Sequence, residues 1–274
     1  MFNGLAINPA YAGTNDVLTL NAIARKQWIG VPGSPLTFLA SGHSPIANKN
    51  FAVGAIFTND QAGFITQNGL SVMGAYKIRF PNATLSFGLQ FGLTNYLVQY
   101  SKITTQSAND PNFRQTDYNA FIPNFGTGVF YLRKNLSAGL SVPYLMDQLL
   151  NNSTTSQAAV QRRYYLLFAA YLINLSPYVK LKPSILLKEA IGVPTQLDIN
   201  ANIIINKVLW FGASYRSFSS INLTTQFDLS EQFTFGYAFD ISTIGLNGNT
   251  TSHEIMLQYR FNFFKTNTVS PRYF

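Results

Sequence analysis

Seven basic residues share a spacing that could do chemistry. Lys77, Arg79, Lys180, Lys182, Lys188, Arg216 and Arg260 lie on the polar side of segments whose apolar residues recur at every second position. In an extended chain, side chains at i and i+2 project to one face. These cations would therefore line one surface, and Asp198, Asp240 and Glu254 have the same parity. Two readings stand. Mutually paired charges can hold the shape of a wet interior. The same surface can also grip an acidic or carboxylate-ended peptide through charge-assisted hydrogen bonds.

Catalysis finds less material. His43 and His253 are the only histidines. A serine hydrolase needs a hydroxyl within reach of the imidazole and a third group to orient it. Ser41, Ser44 and Ser252 are neighbours along the chain, which is not triad geometry. Both histidines are expected to be structural or lumenal, and no enzyme is expected. The 11 acidic residues are scattered. Asp110 and Asp117 share a loop, and Asn59-Asp60 begins another. They read as solvated carboxylates, with a loop calcium site as the alternative. The absence of cysteine excludes disulfides, thiol catalysis and thiolate metal sites. No motif calls for a metal or cofactor.

The elements that must position these groups are strands. Only 11% of the 274 residues are charged, and 47% are hydrophobic. Soluble domains carry about a quarter charged residues. Yet no run of roughly twenty apolar residues exists for a membrane-crossing helix. That combination predicts a transmembrane β-barrel, whose strands are apolar outside and polar inside. Leu85, Phe87, Leu89, Phe91 and Leu93 alternate with Ser86, Gly88 and Gln90. Similar alternation runs through 70–80, 179–188, 196–205, 233–241 and 254–263. A charge on the lipid face would cost roughly 2–4 kcal/mol at mid-membrane, so the seven cations are expected to face the lumen. Their spread along the chain argues against nucleic acid, which needs a clustered basic face.

Weaker strands near 17–27, 35–44, 51–59, 121–133, 136–146, 161–173, 207–216 and 219–228 bring the total to about fourteen. Short turns are expected at 46–50, 81–82, 134–135, 174–177, 206–207 and 230–231. Longer connections are expected at 28–35, 60–68, 98–120, 146–160, 188–195 and 242–252. This alternation predicts short periplasmic turns, longer extracellular loops and periplasmic termini. The connection at 217–220 breaks the pattern by being short. The whole chain, 1–274, reads as one antiparallel barrel domain. A non-strand segment (1–16) would pack inside or under the barrel, and a periplasmic tail (265–274) would end it. Trp28 and Trp210 are candidates for the aromatic girdle. No leader is visible, so a natural export signal is expected to precede Met1.

Two motifs are more specific than the strands. Ile7-Asn8-Pro9-Ala10-Tyr11-Ala12-Gly13-Thr14 opens the chain. Gln27-Trp28-Ile29-Gly30 and Gly33-Ser34-Pro35 follow, and Ser270-Pro271-Arg272-Tyr273-Phe274 closes it. In these motifs, with Asn8, Pro9, Tyr11, Gly13, Gln27, Trp28, Gly30 and Pro35 as the marking residues, the chain resembles the PorP/SprF family. That family belongs to the type IX secretion and gliding-motility machinery of the Bacteroidetes outer membrane. The resemblance implies a barrel that anchors, and helps secrete, a cell-surface protein such as a large adhesin through its C-terminal domain. It also implies contact with outer-membrane lipid and, in some members, with periplasmic ring lipoproteins. The rivals are a passive porin or anion-preferring channel, and a soluble β-sandwich.

Overall fold

The computed structural model describes residues 2–46, 50–103, 116–149, 160–243 and 250–261. Fourteen antiparallel strands close on themselves. They are β1 (Leu18–Lys26), β2 (Leu36–Pro45), β3 (Phe51–Ala62), β4 (Ile65–Phe80), β5 (Ala83–Val98), β6 (Tyr118–Arg133) and β7 (Leu136–Val142). Then come β8 (Tyr164–Tyr171, continued by Ile173–Asn174), β9 (Val179–Ala190), β10 (Val193–Ile205), β11 (Leu209–Arg216), β12 (Ser220–Asp228), β13 (Phe233–Ser242) and β14 (Thr251–Phe261). A two-stranded ribbon, Gln148–Leu149 with Val160–Gln161, extends the β7–β8 connection.

Each strand pairs with the next, and β1 pairs with β14 from Leu18↔Phe261 to Lys26↔His253. Closure leaves no sheet edge, the condition that lipid imposes because it offers backbone groups no hydrogen bonds. The alternation in the sequence is the alternation in space. Leu70, Val72, Tyr76, Leu89, Phe91 and Leu257 stand exposed on the outer wall. Ser86, Asn124, Asp198, Asn200, Thr234 and Asp240 are buried on the inner one.

The strands differ in length. β4, β5 and β6 have 16 residues each, whereas β7 has seven. Crossing a membrane takes about nine to eleven. The surplus of about five to seven residues extends the strands toward the longer connections by about 17–23 Å measured along the strand, less in height because barrel strands tilt by about 35–45°. Two connections expected to be long are therefore tight turns. β3 runs into β4 through Gly63-Phe64, and β9 into β10 through Ile191-Gly192. Their polar residues pair as strands, with Asn59 hydrogen-bonding Asn68 at 2.6 Å. At the opposite end, Asn206 and Lys207 both have positive φ (51° and 59°), and the Val208 N–H donates to the Ile205 carbonyl at 3.0 Å. This matches the twist of a tight hairpin. β1 begins and β14 ends at that same end. The predicted tail, 265–274, and Asp110 lie outside the described residues.

Candidate functional site

The lumen has two unlike halves. Residues 2–17 fill the first, threading inside the barrel against β2–β7. The motif around Asn8 is what seats them. Asn8 caps a short 3-10 turn (Pro9–Tyr11) by accepting the Ala10 N–H at 2.9 Å. Pro9 opens that turn, where its missing N–H costs nothing. The Asn8 amide also donates to two wall carbonyls, Val129 at 2.9 Å and Leu140 at 3.3 Å. One side chain thus satisfies a turn and stitches it to β6 and β7. Ala10 and Ala12 are wholly buried. Tyr11 stands edge-on to both Phe130 and His43.

Glycines make the approach close enough. A methyl group at Gly88 would collide with the Pro9–Ala10 backbone, and one at Gly128 with the Asn8 carboxamide. Gly13 has a φ of +69°, which lets the chain turn toward β1. Its N–H donates to His43 Nδ1 at 3.0 Å, and its carbonyl accepts from Lys77 Nζ. Asn3 bonds Ser41 at 2.8 Å, and Ser141 bonds the Ile7 carbonyl at 2.6 Å. Leu5 packs with Ala52, Ile56, Met73 and Ala75 in the main apolar cluster of the lumen.

The second half is a charged and amide-rich wall. Arg216 clasps Asp198 at 3.0 Å. Arg25 reaches Asp240 at 2.5 Å and Glu254 at 3.5 Å, and Asn222 donates to Asp240. Nearer the short turns, Arg260 bonds Thr234 at 2.8 Å and Asp228 at 3.4 Å. Between this wall and the N-terminal segment lies a cavity of about 180 Å³. Phe2, Ile7 and Tyr11 line one side of it. Lys182, Asn200, Asn202, Trp210, Gln258 and Arg260 line the other. The Lys182 ammonium stands 5.5 Å from the centre of the Trp210 ring.

Of the seven predicted cations, Lys77 is buried against the N-terminal segment, where Asp16 lies 3.7 Å away. Lys180 and Lys182 face inward on β9, and Arg216 and Arg260 join the ion pairs above. Lys188 stands 4.4 Å over the Tyr164 ring. Arg79 is the exception. It is exposed at the short-turn rim, bonded to Asn50 at 2.8 Å. Trp210 also departs from expectation. It is buried on the lumenal side with Leu172 and Ile204, not in a lipid-facing girdle. The second motif forms a knot of turns between β1 and β2. Trp28, Gly30 and Gly33 all take positive φ there. The Gln27 N–H meets the Pro35 carbonyl at 2.9 Å, and the Gly33 carbonyl accepts from Gly63 at 2.8 Å.

His43 belongs to the seat of the N-terminal segment. His253 bonds the Tyr237 hydroxyl at 2.6 Å beside Phe239. Ser44 donates to the Pro45 carbonyl, and Ser252 accepts from Trp28. Among the described residues no three His, Asp or Glu side chains converge as metal ligands. Sequence reasoning missed Arg25 and Asp228, which lie on the inner parity of β1 and β12. It also missed the glycines that receive the N-terminal segment, which read as ordinary strand residues.

Solved structures of similar fold are outer-membrane barrels. The outer membrane protein Omp33 of Acinetobacter baumannii is 9% identical, with a TM-score of 0.55 over 91% of this chain and 100% of that one. The CymD monoaromatic hydrocarbon channel is 9% identical, with a TM-score of 0.58 over 94% and 92%. A FadL homologue of Pseudomonas aeruginosa is 12% identical, with a TM-score of 0.54 over 94% and 93%. At such identity they show the fold alone. No curated protein sequence matches. The family model of the type IX secretion system membrane protein PorP/SprF matches residues 1–259. With the barrel closed and the opening motif seated in its lumen, the chain belongs to the PorP/SprF family of type IX secretion system membrane proteins of the outer membrane.

Proposed function

We propose that this barrel binds and anchors a secreted cell-surface protein, and helps deliver it, by engaging that protein's C-terminal domain. Family membership supplies the type IX context. The observation that carries the finer reading is the filled lumen. Residues 2–17 are bonded to the wall on several strands, which suits a receptor better than an open bore. The protruding β4–β6 wall supplies a rigid platform at the end of the longer connections. In this reading that end is extracellular. The termini and short turns are periplasmic, where ring lipoproteins would make contact.

The deciding experiment is a gentle detergent pull-down of the tagged barrel from its native cells, with mass spectrometry of what co-elutes. One large secreted protein, retained through its C-terminal domain, is the expected result. Recovery of the barrel alone, with steady conductance in planar bilayers, overturns the anchoring reading.

The second reading is a porin or anion-preferring small-solute channel. The cavity beside the N-terminal segment favours it, with Lys182 and Arg260 in its lining. It predicts anion-selective conductance.

A further inference from the structure

We propose that the notch between the β4–β5 and β6–β7 turns is a binding site for the headgroup of an anionic phospholipid. β5 and β6 are joined at the far end of the barrel, so their short-turn ends stand side by side between those two turns. There the rim holds a pocket of about 250 Å³. Arg79, Arg133 and Lys134 line it, and all three are exposed, so a ligand in the notch can reach their donors. None of them pairs with a carboxylate among the described residues. Arg79 bonds the neutral Asn50 carboxamide at 2.8 Å.

The charge gives the sign of that ligand. Asp16 is the one carboxylate in the pocket lining, and it faces Lys77 at 3.7 Å. Lys77 is buried, so it adds positive field without offering a contact. The remaining acidic residues at the short-turn end, Asp228 and Glu231, flank the β12–β13 turn. That turn is half the ring away, across the mouth of the barrel. Asp228 is answered there by Arg260 at 3.4 Å. The three exposed cations therefore meet no local acid beyond the one that Lys77 engages.

The register gives its class. Phe80, Ala83 and Arg133 lie opposite one another across β4, β5 and β6, on the parity of the outer wall. Arg79, Thr84 and Leu132 form the next row, on the inner parity. Both rows line the pocket, so it spans the rim from the mouth of the lumen to the membrane side. Ala83 is small and leaves room between Phe80 and Arg133. Phe80 is 52% exposed, and the outer wall continues from it through Ile78 and Tyr76. Acyl chains can follow that apolar track while guanidinium groups hold the phosphate bidentately. Basic pockets at a membrane surface bind acidic headgroups in this way. A soluble anion would leave the track unused. In the orientation proposed above, the lipid belongs to the periplasmic leaflet.

Native mass spectrometry of the full chain in non-ionic detergent tests this. The chain is titrated with dioctanoyl phosphatidylglycerol, dioctanoyl phosphatidylcholine and inorganic phosphate. The expected result is a single phosphatidylglycerol adduct that saturates first, with the other two probes bound far more weakly. Arg79→Gln and Arg133→Gln each weaken it about fivefold. Lys134→Gln, in the turn itself, does the same. Lys207→Gln, in the β10–β11 turn on the same rim, leaves it unchanged. Every variant is first checked for the heat-dependent gel shift of a folded barrel. Absence of a saturable adduct, or equal binding of phosphatidylcholine, overturns the proposal. So does full binding by the folded arginine variants. An equal loss in Lys207→Gln overturns it in favour of a diffuse field around the whole rim. Inorganic phosphate bound as tightly as the lipid overturns it in favour of a free-anion site. The anchoring reading is tested by recovery of a secreted partner, so either can fail alone.

Discussion

The Asn8 side chain donates to the Val129 carbonyl at 2.9 Å, tying the start of the chain to a strand 121 residues away. The contact exists only because Gly128 presents no side chain where the carboxamide lies. Gly128→Ala and Gly88→Ala should each unseat the N-terminal segment. The cost should be about 1–3 kcal/mol, the usual penalty of overpacking. Limited proteolysis in detergent should then cleave within residues 2–17 while the barrel survives. Gly74→Ala is the control, since nothing lies within 4 Å of its added methyl. A protected N-terminus in Gly128→Ala would refute the seating described here.

Lys77 should matter more than the carboxylate beside it. Lys77 is buried and bonds the Gly13 carbonyl, whereas the Asp16 side chain is 43% exposed. Lys77→Met removes the charged donor to that carbonyl, which keeps only the Asp16 N–H at 3.1 Å, a loss of about 1.5–3 kcal/mol for a hydrogen bond to a charged group. Asp16→Asn should change stability by less than about 1 kcal/mol. Thermal unfolding of the two variants, followed by the shift in gel mobility of the heated barrel, separates them.

Asp198 and Arg216 should be coupled. Asp198→Leu strands the Arg216 guanidinium and should destabilise the barrel by about 1–3 kcal/mol, below the value for a dry interior because Arg216 is part-exposed. Adding Arg216→Leu should recover part of the loss. A double variant as damaged as the sum of the singles would mean that the pair carries no coupling.

Asp117 sets a pH dependence at the protruding end. The backbone N–H and hydroxyl of Ser101 hold its carboxyl below the usual carboxylate range, and the site is fully exposed. A depressed pKa contributes order that is present above the ordinary value of about 4 and is lost as pH falls through the lowered one. The protection factor of the Ser101 amide, its exchange relative to the intrinsic rate at each pH, should therefore fall below that range, and Asp117→Asn should show the lower protection at neutral pH.

Trp210 should ignore the lipid. With Trp28→Phe in place, brominated acyl chains should leave its fluorescence nearly unchanged, because the ring lies inside the wall with Ile204. Strong quenching would return it to the girdle.

The barrel was legible because lipid makes each strand's outer face apolar, so a period of two marks every crossing. The signal fades where that constraint ends. Residues 59–68 are polar on both faces because β3 and β4 have left the membrane there, and the sequence reads as a loop. Trp210 was misplaced because Leu209, Trp210 and Phe211 are all apolar, so parity cannot choose a face. Parity put Arg216 and Asp198 on one face, and the register of β10 with β11 sets them opposite each other. The contacts of Asn8 with Val129 and Leu140 were not legible, because no local pattern encodes a bond between residues more than a hundred positions apart.

That separation also orders events in time. The segment around Asn8 is made before β6 and β7, but its wall contacts need those strands to be paired. The β1–β14 seam needs the last strand of all. Loop-closure entropy must be met before such distant contacts return anything. Residues 2–17, made before the strands that hold them, are thus among the last to settle, and until then both β1 and its preceding segment are open to capture by whatever escorts the chain.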